Sequence, residues 1–551
     1  MTTKMATGEA VSLSTPIGLA LVVVAAALVL IAPTWLVDIV PTQDGPIHLA
    51  QADMIARFGW GGTLSGPVGT FYEWNTRVEP NYSVYAILAA LIRITGDPLA
   101  AQTIYLSLYG IFYVVAAYWA VAAETDRPLL PFLLLLPVAF GAFIHLGFFN
   151  YALGFPAFLA FAALWRRIGG ERSVATFAML ALALFALGLT HLATVVAACL
   201  LLAAGGLARA LAATDGTPKR SVVKGLMGDG LWYGAAALPA LALIVAFLIA
   251  YPSATTDAAN LRYSILSVIR RLVSLDYLFS YTWWEVAALA PLIAATIYGA
   301  LAALKRWRSG DLVWPIFVLL VVLVSLLDLR TAQGVALAER LAPYSWIGVA
   351  LAIAARQPGL RAAQVLGVVA ALAIVAQSGI RAVAYLGWAD TSRTVLRAGA
   401  SYPGQSFAGA DLTATASSNY SWRVHPGIHI HQLAAIRSHG VGMGSSLPSM
   451  RFYGYYPLRY VRGEDFLFAL PEWEEKPGRI ALADFRAAHQ GAPKVLVILA
   501  SGENGASLAR FHRHQNCTTS EGTRRSVLVC ADLAHEPARG RAPIGEAPGG
   551  R

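Results

Sequence analysis

The sequence predicts an all-α polytopic membrane bundle of about eleven transmembrane helices, followed by a small α/β domain on the extracytoplasmic side. Hydrophobic residues make up 57% of the 551 residues and charged residues only 13%, whereas soluble domains carry roughly 25% charged residues. Apolar runs of about 20 residues, the length that crosses the hydrocarbon core of a bilayer, recur up to residue 388. From about Ala389 onward the sequence becomes polar, glycine-rich and aromatic, which is typical of a folded domain outside the membrane.

The apolar runs predict transmembrane segments joined by short polar loops. The first run is long enough to span and lacks a small-residue cleavage site after it, which favours a retained helix over a signal peptide. Tyr82–Ile94 is also apolar, but it is too short to span and carries Arg93, so an interfacial or re-entrant helix is predicted there. The predicted spans are Ile17–Val37, Leu99–Val121, Leu129–Ile144, Phe149–Trp165, Val174–Leu189, Ala193–Leu211, Leu231–Ala250, Trp284–Leu304, Leu312–Leu327, Tyr344–Ala355 and Val365–Ile380.

Basic residues in the loops predict the orientation. Cytoplasmic loops of membrane proteins are enriched in Lys and Arg, and the pattern fits if Lys4 and the N-terminus are cytoplasmic. The net charge of +10 then reflects membrane orientation and not a nucleic-acid partner. We therefore expect a multi-pass protein of the bacterial inner (plasma) membrane with its C-terminal domain extracytoplasmic. The basic residues of the predicted cytoplasmic loops are Arg127, Arg166, Arg167, Arg172, Arg209, Lys219, Arg220, Lys224, Lys305, Arg306, Arg308, Arg356 and Arg361.

Composition divides the chain into three predicted regions. Residues 1–388 form the transmembrane domain, with a long first outer loop at residues 38–98. Residues 389–535 form the extracytoplasmic domain. Residues 536–551 are rich in Pro, Gly and Arg and are expected to be a disordered tail.

Within the extracytoplasmic domain, local patterns predict strands and allow a disulfide. Lys494–Leu499 and Ser526–Val529 are short apolar runs typical of buried strands. Cys517 and Cys530 lie nearby, and an oxidising compartment would permit them to pair. The sequence alone leaves both the paired and the free state open. Cys199 lies in an apolar run and is expected to be a small core residue.

The first outer loop carries the leading candidate for chemistry. Asp44 and His48 follow the first span, and their spacing of four residues predicts that they share one face of a helix. Asp44 could act as a general base, but Asp-Gly-Pro is also a helix start, so it could instead cap the helix and have a lowered pKa. His48 could orient a substrate, join Asp44 at a divalent metal, or serve only as a polar anchor. Asp53 and Arg57, again four apart, are expected to form an ion pair on the helix.

Further polar residues collect on the predicted outer side. Arginine is the preferred ligand of phosphate because its planar fork matches the oxygens, and outer arginines are unusual under the charge bias of the loops. The candidate substrate-binding residues, with His48, are Glu79, His145, Asn150, His191, Arg262, Arg270, Arg271, Arg330 and Arg340. Each has an alternative interpretation. The arginines could snorkel to lipid headgroups, the histidines and the asparagine could cap or cross-link helices, and the glutamate could be solvated.

Two patterns in the tail have open interpretations. His425, His429 and His431 are close in sequence, and alternation would put the last two on one strand face, where they could hold a metal or contact an acceptor. No cysteine or carboxylate completes a zinc set beside them, so no metal ligand is assigned. The aromatic run Phe452–Pro457 could stack on sugar rings or seal the tail against the bundle.

The order of motifs in the first 120 residues resembles the GT-C glycosyltransferases. A first helix is followed by an outer loop with Asp44, then by Glu79-Pro80-Asn81-Tyr82 before an apolar helix, and by Gly96-Asp97-Pro98-Leu99-Ala100 before a long span. This family's usual acidic pair is represented by Asp44 alone, and Pro80-Asn81 stands where many members have two prolines. The resemblance implies a membrane enzyme that uses a polyprenyl-phosphate-linked sugar at the extracytoplasmic face.

The resulting prediction is a GT-C-type glycosyltransferase, for hexosyl or pentosyl transfer, with Asp44 as the catalytic residue. Its partners would be the lipid bilayer, a polyprenyl-phosphate-linked sugar and an extracytoplasmic acceptor. No cofactor is certain, although a divalent metal is possible. Two alternatives remain: a transporter or flippase of lipid-linked saccharides, which needs polar groups at mid-bilayer and often internal repeats, and a non-catalytic membrane assembly protein.

Overall fold

The computed structural model describes twelve stretches of the chain. They are residues 16–168, 170–213, 219–250, 275–305, 312–326, 337–356, 360–411, 424–443, 456–460, 495–500, 517–521 and 526–531.

Most described residues of the first 400 are helical, because the apolar runs satisfy their backbone hydrogen bonds within each segment. The helices up to Ser401 are numbered α1 to α15 in chain order, and α2, α3 and α4 lie within the first outer loop. They span, in order, Pro16–Ile31, Gly45–Phe58, Gly66–Phe71, Ser83–Thr95, Pro98–Ala122, Leu129–Leu135, Ala142–His145, Phe149–Ile168, Val174–Thr190, Leu192–Ala212, Lys219–Ala250, Trp283–Lys305, Val313–Leu326, Leu337–Arg356 and Leu360–Ser401.

Within the described residues, six helices are long and apolar enough to cross a membrane. Their large apolar side chains face outward; Leu21, Leu238, Leu301 and Val368 are all exposed. A lipid environment accounts for this exposure, and the chain is an integral membrane protein. The six segments are Ile17–Leu36, Pro98–Ala122, Leu192–Ala212, Val222–Phe247, Trp283–Lys305 and Ala363–Ser401. The larger count of about eleven spans stays a prediction.

The predicted span Leu129–Ile144 is not a single helix. It consists of α6, a 3-10 turn at Leu136–Val138 and the one-turn helix α7. Pro137 lies inside the turn and Gly141 precedes α7, and both residue types interrupt regular helices. This break brings the end of α7 against the first outer loop.

The first outer loop folds into helices and a strand rather than an irregular loop. Helix α2 packs against α4, whose buried face carries Tyr85, Leu88 and Ile92. The 13 residues of α4 reach only about 20 Å, less than the roughly 30 Å of a hydrocarbon core. It is therefore too short to span, as the sequence predicts.

The loop and the C-terminal part of the chain share a small sheet. Strand β1 (Tyr72–Trp74) pairs antiparallel with β4 (Leu458–Tyr460), with Tyr72 opposite Tyr460. Backbone pairing of this kind joins the two segments directly, so the C-terminal region is docked on the first outer loop.

A five-stranded mixed sheet follows the last helix of the bundle, in the order β3-β2-β5-β7-β6. Helix α15 continues past residue 388, where the sequence predicts a domain boundary, and the sheet begins only at Ser406. Helix α16 (His431–Ser438) packs on β2 and β3. The remaining strands are β2 (Ser406–Asp411), β3 (Val441–Gly442), β5 (Val495–Ala500), β6 (Cys517–Glu521) and β7 (Ser526–Ala531).

The two segments predicted as strands correspond to β5 and β7, which pair antiparallel in the middle of the sheet. Cys517 on β6 lies directly opposite Cys530 on β7, and the two form a disulfide. The pairing that the sequence left open is therefore present. Cys199 is a free, half-buried cysteine in a helix of the bundle; it packs against the core rather than within it.

Candidate active site

Asp44 stands at the start of α2, with its backbone held by a turn from a distant part of the chain. The Gln43 N–H donates to the His145 carbonyl at 2.9 Å, and the Asp44 N–H donates to the Leu146 carbonyl at 3.1 Å. Gly147 has φ +85°, and a Cβ there would lie 2.3 Å from the Gly45 nitrogen. Only glycine allows this close approach, so the turn after α7 fixes where the Asp44 backbone lies.

The capping role considered for Asp44 is wrong. A capping residue takes an extended conformation, whereas Asp44 has φ −94° and ψ −7° and its side chain makes no capping hydrogen bond. The helix dipole was expected to lower the pKa of this carboxyl, but burial raises it to about 7. A hydrogen bond with the Gln43 side chain and the positive charge of Arg340 oppose the rise only in part.

A histidine from the C-terminal region lies beside this carboxyl. His429 Nε2 is 3.6 Å from Asp44 Oδ1, and burial lowers the pKa of His429 to about 3. The contact therefore joins the carboxyl to a neutral imidazole and is not an ion pair near neutral pH. The same segment is tied to the loop by the His425 N–H, which donates to Gln43 Oε1 at 3.3 Å.

The tail histidines do not lie on a strand. Residues 426–430 form turns, and His431 begins α16. His431 Nε2 lies 2.6 Å from the Met443 carbonyl and must carry a proton, because a carbonyl only accepts. Among the described residues no group of three or more His, Cys, Asp or Glu side chains could hold a metal. The predicted strand alternation of His429 and His431 is wrong, because His429 lies in a turn and His431 begins a helix.

His48 lies one turn after Asp44 in a box of aromatic rings. Its Nδ1 is 2.6 Å from the Tyr85 hydroxyl, and its ring stacks on Tyr456 at a centroid distance of 5.8 Å. Phe149 closes another side at 6.0 Å. Burial lowers the pKa of His48 to about 3, so the ring is neutral. Tyr456, the described end of the aromatic run, thus packs against the first outer loop.

Arg340 supplies positive charge to the site from the start of α14. Its guanidinium lies over the rings of Phe148, Tyr151 and Phe143 at 4.2, 4.9 and 5.6 Å, an arrangement that favours a cation. The Tyr151 hydroxyl donates to the backbone carbonyl of Arg340. Stacking on three rings fixes the guanidinium, and its positive charge acts to lower the pKa of Asp44.

The other candidates near this site take helix-supporting contacts. Asn150 Oδ1 accepts from the Val84 N–H at 2.9 Å and so supports the start of α4. His191 Nδ1 accepts from the Ala193 N–H at 3.1 Å at the start of α10. Glu79 is only 2% exposed, in contrast to the solvated alternative. Their roles in substrate binding stay predictions. Arg262, Arg270, Arg271 and Arg330 lie outside the described residues.

His145 joins the site to a buried polar network. Its Nε2 lies 2.6 Å from the Tyr385 hydroxyl, and its Nδ1 lies 2.7 Å from Ser280 Oγ and 3.0 Å from the Gly141 carbonyl. These contacts connect α7 with α15 and with the segment before α12. The interhelical alternative for His145 therefore describes its contacts, while a substrate role stays a prediction.

The same network contains an ion pair that the sequence pattern does not predict. Arg381 is 2% exposed, and its Nε lies 3.9 Å from Glu285 Oε2. Glu285 also accepts from the backbone N–H groups of Ser280 and Tyr281, and the Tyr281 hydroxyl donates to the Pro41 carbonyl. The pair thus positions the backbone just before Asp44. The signal was a charged residue inside an apolar run, but the predicted span stopped one residue before Arg381.

Comparisons with known proteins identify the fold. No protein-family model and no curated protein matches the sequence. The structure is similar to ArnT from Cupriavidus metallidurans in the apo state, with a TM-score of 0.50, 12% identity, and coverage of 95% of this chain and 99% of that chain. It is also similar to the same ArnT bound to undecaprenyl phosphate, with a TM-score of 0.51, 13% identity, and coverage of 95% and 100%. The chain therefore has an ArnT-like membrane fold over nearly its whole length, in agreement with the expected polytopic bundle.

Proposed function

We propose that this chain is a membrane glycosyltransferase that moves a hexosyl or pentosyl group from a polyprenyl-phosphate carrier to an extracytoplasmic acceptor, which is a glycan, lipid or protein. The observation that carries the proposal is the buried carboxyl of Asp44, whose pKa of about 7 suits a general base at neutral pH. The ArnT-like fold supports it, because one of the similar structures has undecaprenyl phosphate bound.

The proposed reaction is a single displacement. The acceptor hydroxyl oxygen attacks the anomeric carbon, the bond from that carbon to the phosphate oxygen breaks, and Asp44 takes the hydroxyl proton. The departing phosphate gains negative charge, which a fixed guanidinium stabilises without reorganisation. Arg340 is our candidate for that charge, because three aromatic rings hold it and it already acts on Asp44. A single displacement inverts the anomeric configuration.

We propose that Asp44 faces the extracytoplasmic side of a bacterial inner membrane, with the N-terminus cytoplasmic. Two independent observations support this orientation. Basic residues concentrate in the loops of the opposite side. The Cys517–Cys530 disulfide lies in the region docked on the first outer loop, and disulfides persist in oxidising compartments.

The test compares the purified wild type with Asp44→Asn in release of polyprenyl phosphate from a panel of lipid-linked sugars. The matched control is Asp53→Asn, which alters another buried carboxylate of the same helix, one that pairs with Arg57 at 3.0 Å. We expect Asp44→Asn to abolish release and Asp53→Asn to retain it. Unchanged release in Asp44→Asn would refute the base assignment.

The same preparation distinguishes the alternatives. Movement of a lipid-linked saccharide across vesicles without release of polyprenyl phosphate would identify a transporter. Neither movement nor release, with the C-terminal region still bound by partners, would identify an assembly protein. A C-terminal tag protected inside intact cells would contradict the orientation.

A further inference from the structure

A second charged surface lies beside the candidate active site, at the same end of the bundle. It is a cleft of about 540 Å³ between the end of α1, the start of α5 and the end of α15. Its charged lining residues are Arg393 and Arg397 of α15, Arg437 of α16, Asp38 and Asp97. Apolar side chains of α5 complete its wall. The cleft thus joins an apolar surface to a cluster of guanidinium groups.

The position of the cleft corresponds to the membrane–water interface. Trp35, at the end of the first membrane-crossing segment, lines it and is 62% exposed. Tryptophan is enriched at the level of lipid headgroups. Asp97 marks the end of another crossing helix, where its carboxylate accepts from the Leu99 N–H at 2.9 Å. The arginines therefore lie at headgroup height on the same side as Asp44.

The arginines of the cleft are available to an anion. Arg393 lies 3.9 Å from Asp38, and both side chains are about half exposed, at 48% and 56%, so this ion pair contributes little and is exchangeable. Within the described parts of the chain, Arg397 and Arg437 have no ion-pair partner. The cleft thus contains three guanidinium groups and two carboxylates, and the Asp97 carboxylate also caps a helix. The cleft therefore carries a net positive charge.

The cleft is adjacent to the Asp44 site. A small pocket between them is lined by Pro41 and Thr42 of the loop that joins Asp38 to Asp44, and by Ser392, which precedes Arg393. A side chain of α16, the helix that carries Arg437, lines the same pocket. The two sites therefore share three structural elements, and an amphiphile in the cleft would lie next to the reacting groups.

We propose that this cleft binds the phosphate headgroup of a membrane lipid, with Arg393, Arg397 and Arg437 around the phosphate and the apolar wall of α5 against the lipid chain. Guanidinium forks match phosphate oxygens in two-point hydrogen bonds. The lipid is either an anionic phospholipid of the bilayer or a polyprenyl phosphate, which present the same group at the same height. Binding is measured without turnover, so the inference does not depend on the proposed sugar transfer.

The test uses the full-length protein in nanodiscs of phosphatidylcholine containing a trace of labelled phosphatidylglycerol or labelled polyprenyl phosphate, and binding is read by fluorescence transfer. The test variant is Arg397→Gln with Arg437→Gln, and the control is Arg77→Gln, an exposed arginine of the first outer loop outside the cleft. We expect the control to bind as the wild type does. The double variant should lose about tenfold in affinity per arginine, with an unchanged melting temperature.

The outcomes are distinct. Preference for phosphatidylglycerol or for polyprenyl phosphate identifies the source of the headgroup, and either preference supports the proposal. Equal loss in Arg77→Gln and the double variant would show only a general effect of charge and would overturn it. Binding of uncharged diacylglycerol as tight as that of the phosphate lipids would overturn it too. If the double variant does not fold, Arg397→Lys is used, which retains charge but loses the fork and should bind less tightly than the wild type.

Discussion

Replacing Asp44 with asparagine should make the protein more stable at alkaline pH while abolishing sugar transfer. Burial raises the pKa of this carboxyl to about 7, from an ordinary value of about 3.9. The folded state therefore holds the proton more tightly than the unfolded chain does. Above pH 7 the folded protein contains a desolvated carboxylate, and a shift of about three units corresponds to roughly 4 kcal/mol of destabilisation.

The direction of the pH dependence follows from proton linkage. The protonated carboxyl stabilises the folded state fully below about pH 4, and this contribution is lost as the pH rises through 7. Asparagine is uncharged at every pH and keeps the contribution. The stability gain of Asp44→Asn should therefore be largest above pH 7 and smaller by roughly 2–3 kcal/mol at pH 5.

The assay is thermal unfolding of detergent-solubilised wild type and Asp44→Asn at pH 5 and pH 8, beside a pH profile of wild-type polyprenyl phosphate release. Glu73→Gln, a half-buried carboxyl of the same outer loop, controls for general loss of charge. Wild-type release should fall as the pH drops below 7, because the base becomes protonated. An equal melting-temperature difference at the two pH values, or a variant less stable at pH 8, would refute the reasoning.

Three further predictions concern residues around Asp44. His429→Ala admits water to the Asp44 carboxyl, which lowers its pKa, so the acidic limb of the pH–rate profile should shift to lower pH; an unmoved limb would contradict this. Arg340→Gln should lower kcat/KM for the lipid-linked sugar about 10- to 100-fold. Arg340→Lys should recover only part of this kcat/KM, because an ammonium group lacks the planar stack on aromatic rings. Full recovery of kcat/KM by lysine would contradict a role for that stack. Arg381→Gln leaves the Glu285 carboxylate buried without its counter-ion and should destabilise the protein by about 3–5 kcal/mol. Adding Glu285→Gln to this variant should restore its stability in thermal unfolding. A double variant no more stable than Arg381→Gln alone would contradict the pairing.

The positions of the bundle helices were predictable wherever they depend only on the local composition of the sequence. Apolar runs specify helices wherever no breaker intervenes, which is why α5, α10 and α12 agree with the prediction within a few residues. The run Leu129–Ile144 has the same composition, but Pro137 and Gly141 divide it. Hydropathy averages over such residues, so a prediction based on run length alone misses the break that creates the turn holding Asp44.

The sequence was enough to choose Asp44 as a candidate residue, but not to predict the environment of its carboxyl. Asp44 was identified because a carboxylate next to an apolar span has no role in crossing the membrane. The local Asp-Gly-Pro pattern suggested a cap with a lowered pKa. The observed rise in its pKa comes from burial, which depends on His429 and other groups hundreds of residues away. Periodicity and motif spacing carry no information about such contacts.

The base strength of Asp44 is thus a property of the assembled protein. Desolvation is the largest cause of its raised pKa, and the desolvating surface includes the segment of His425 and His429, which is bound to the loop through Gln43. A hydrated carboxyl at the membrane surface would have a pKa near 4 and be a weak base. Docking of the C-terminal region on the first outer loop therefore links the fold of the tail to the chemistry proposed for the loop. We therefore propose that the two regions act together as one site, because Asp44 would lack the required basicity without the C-terminal region.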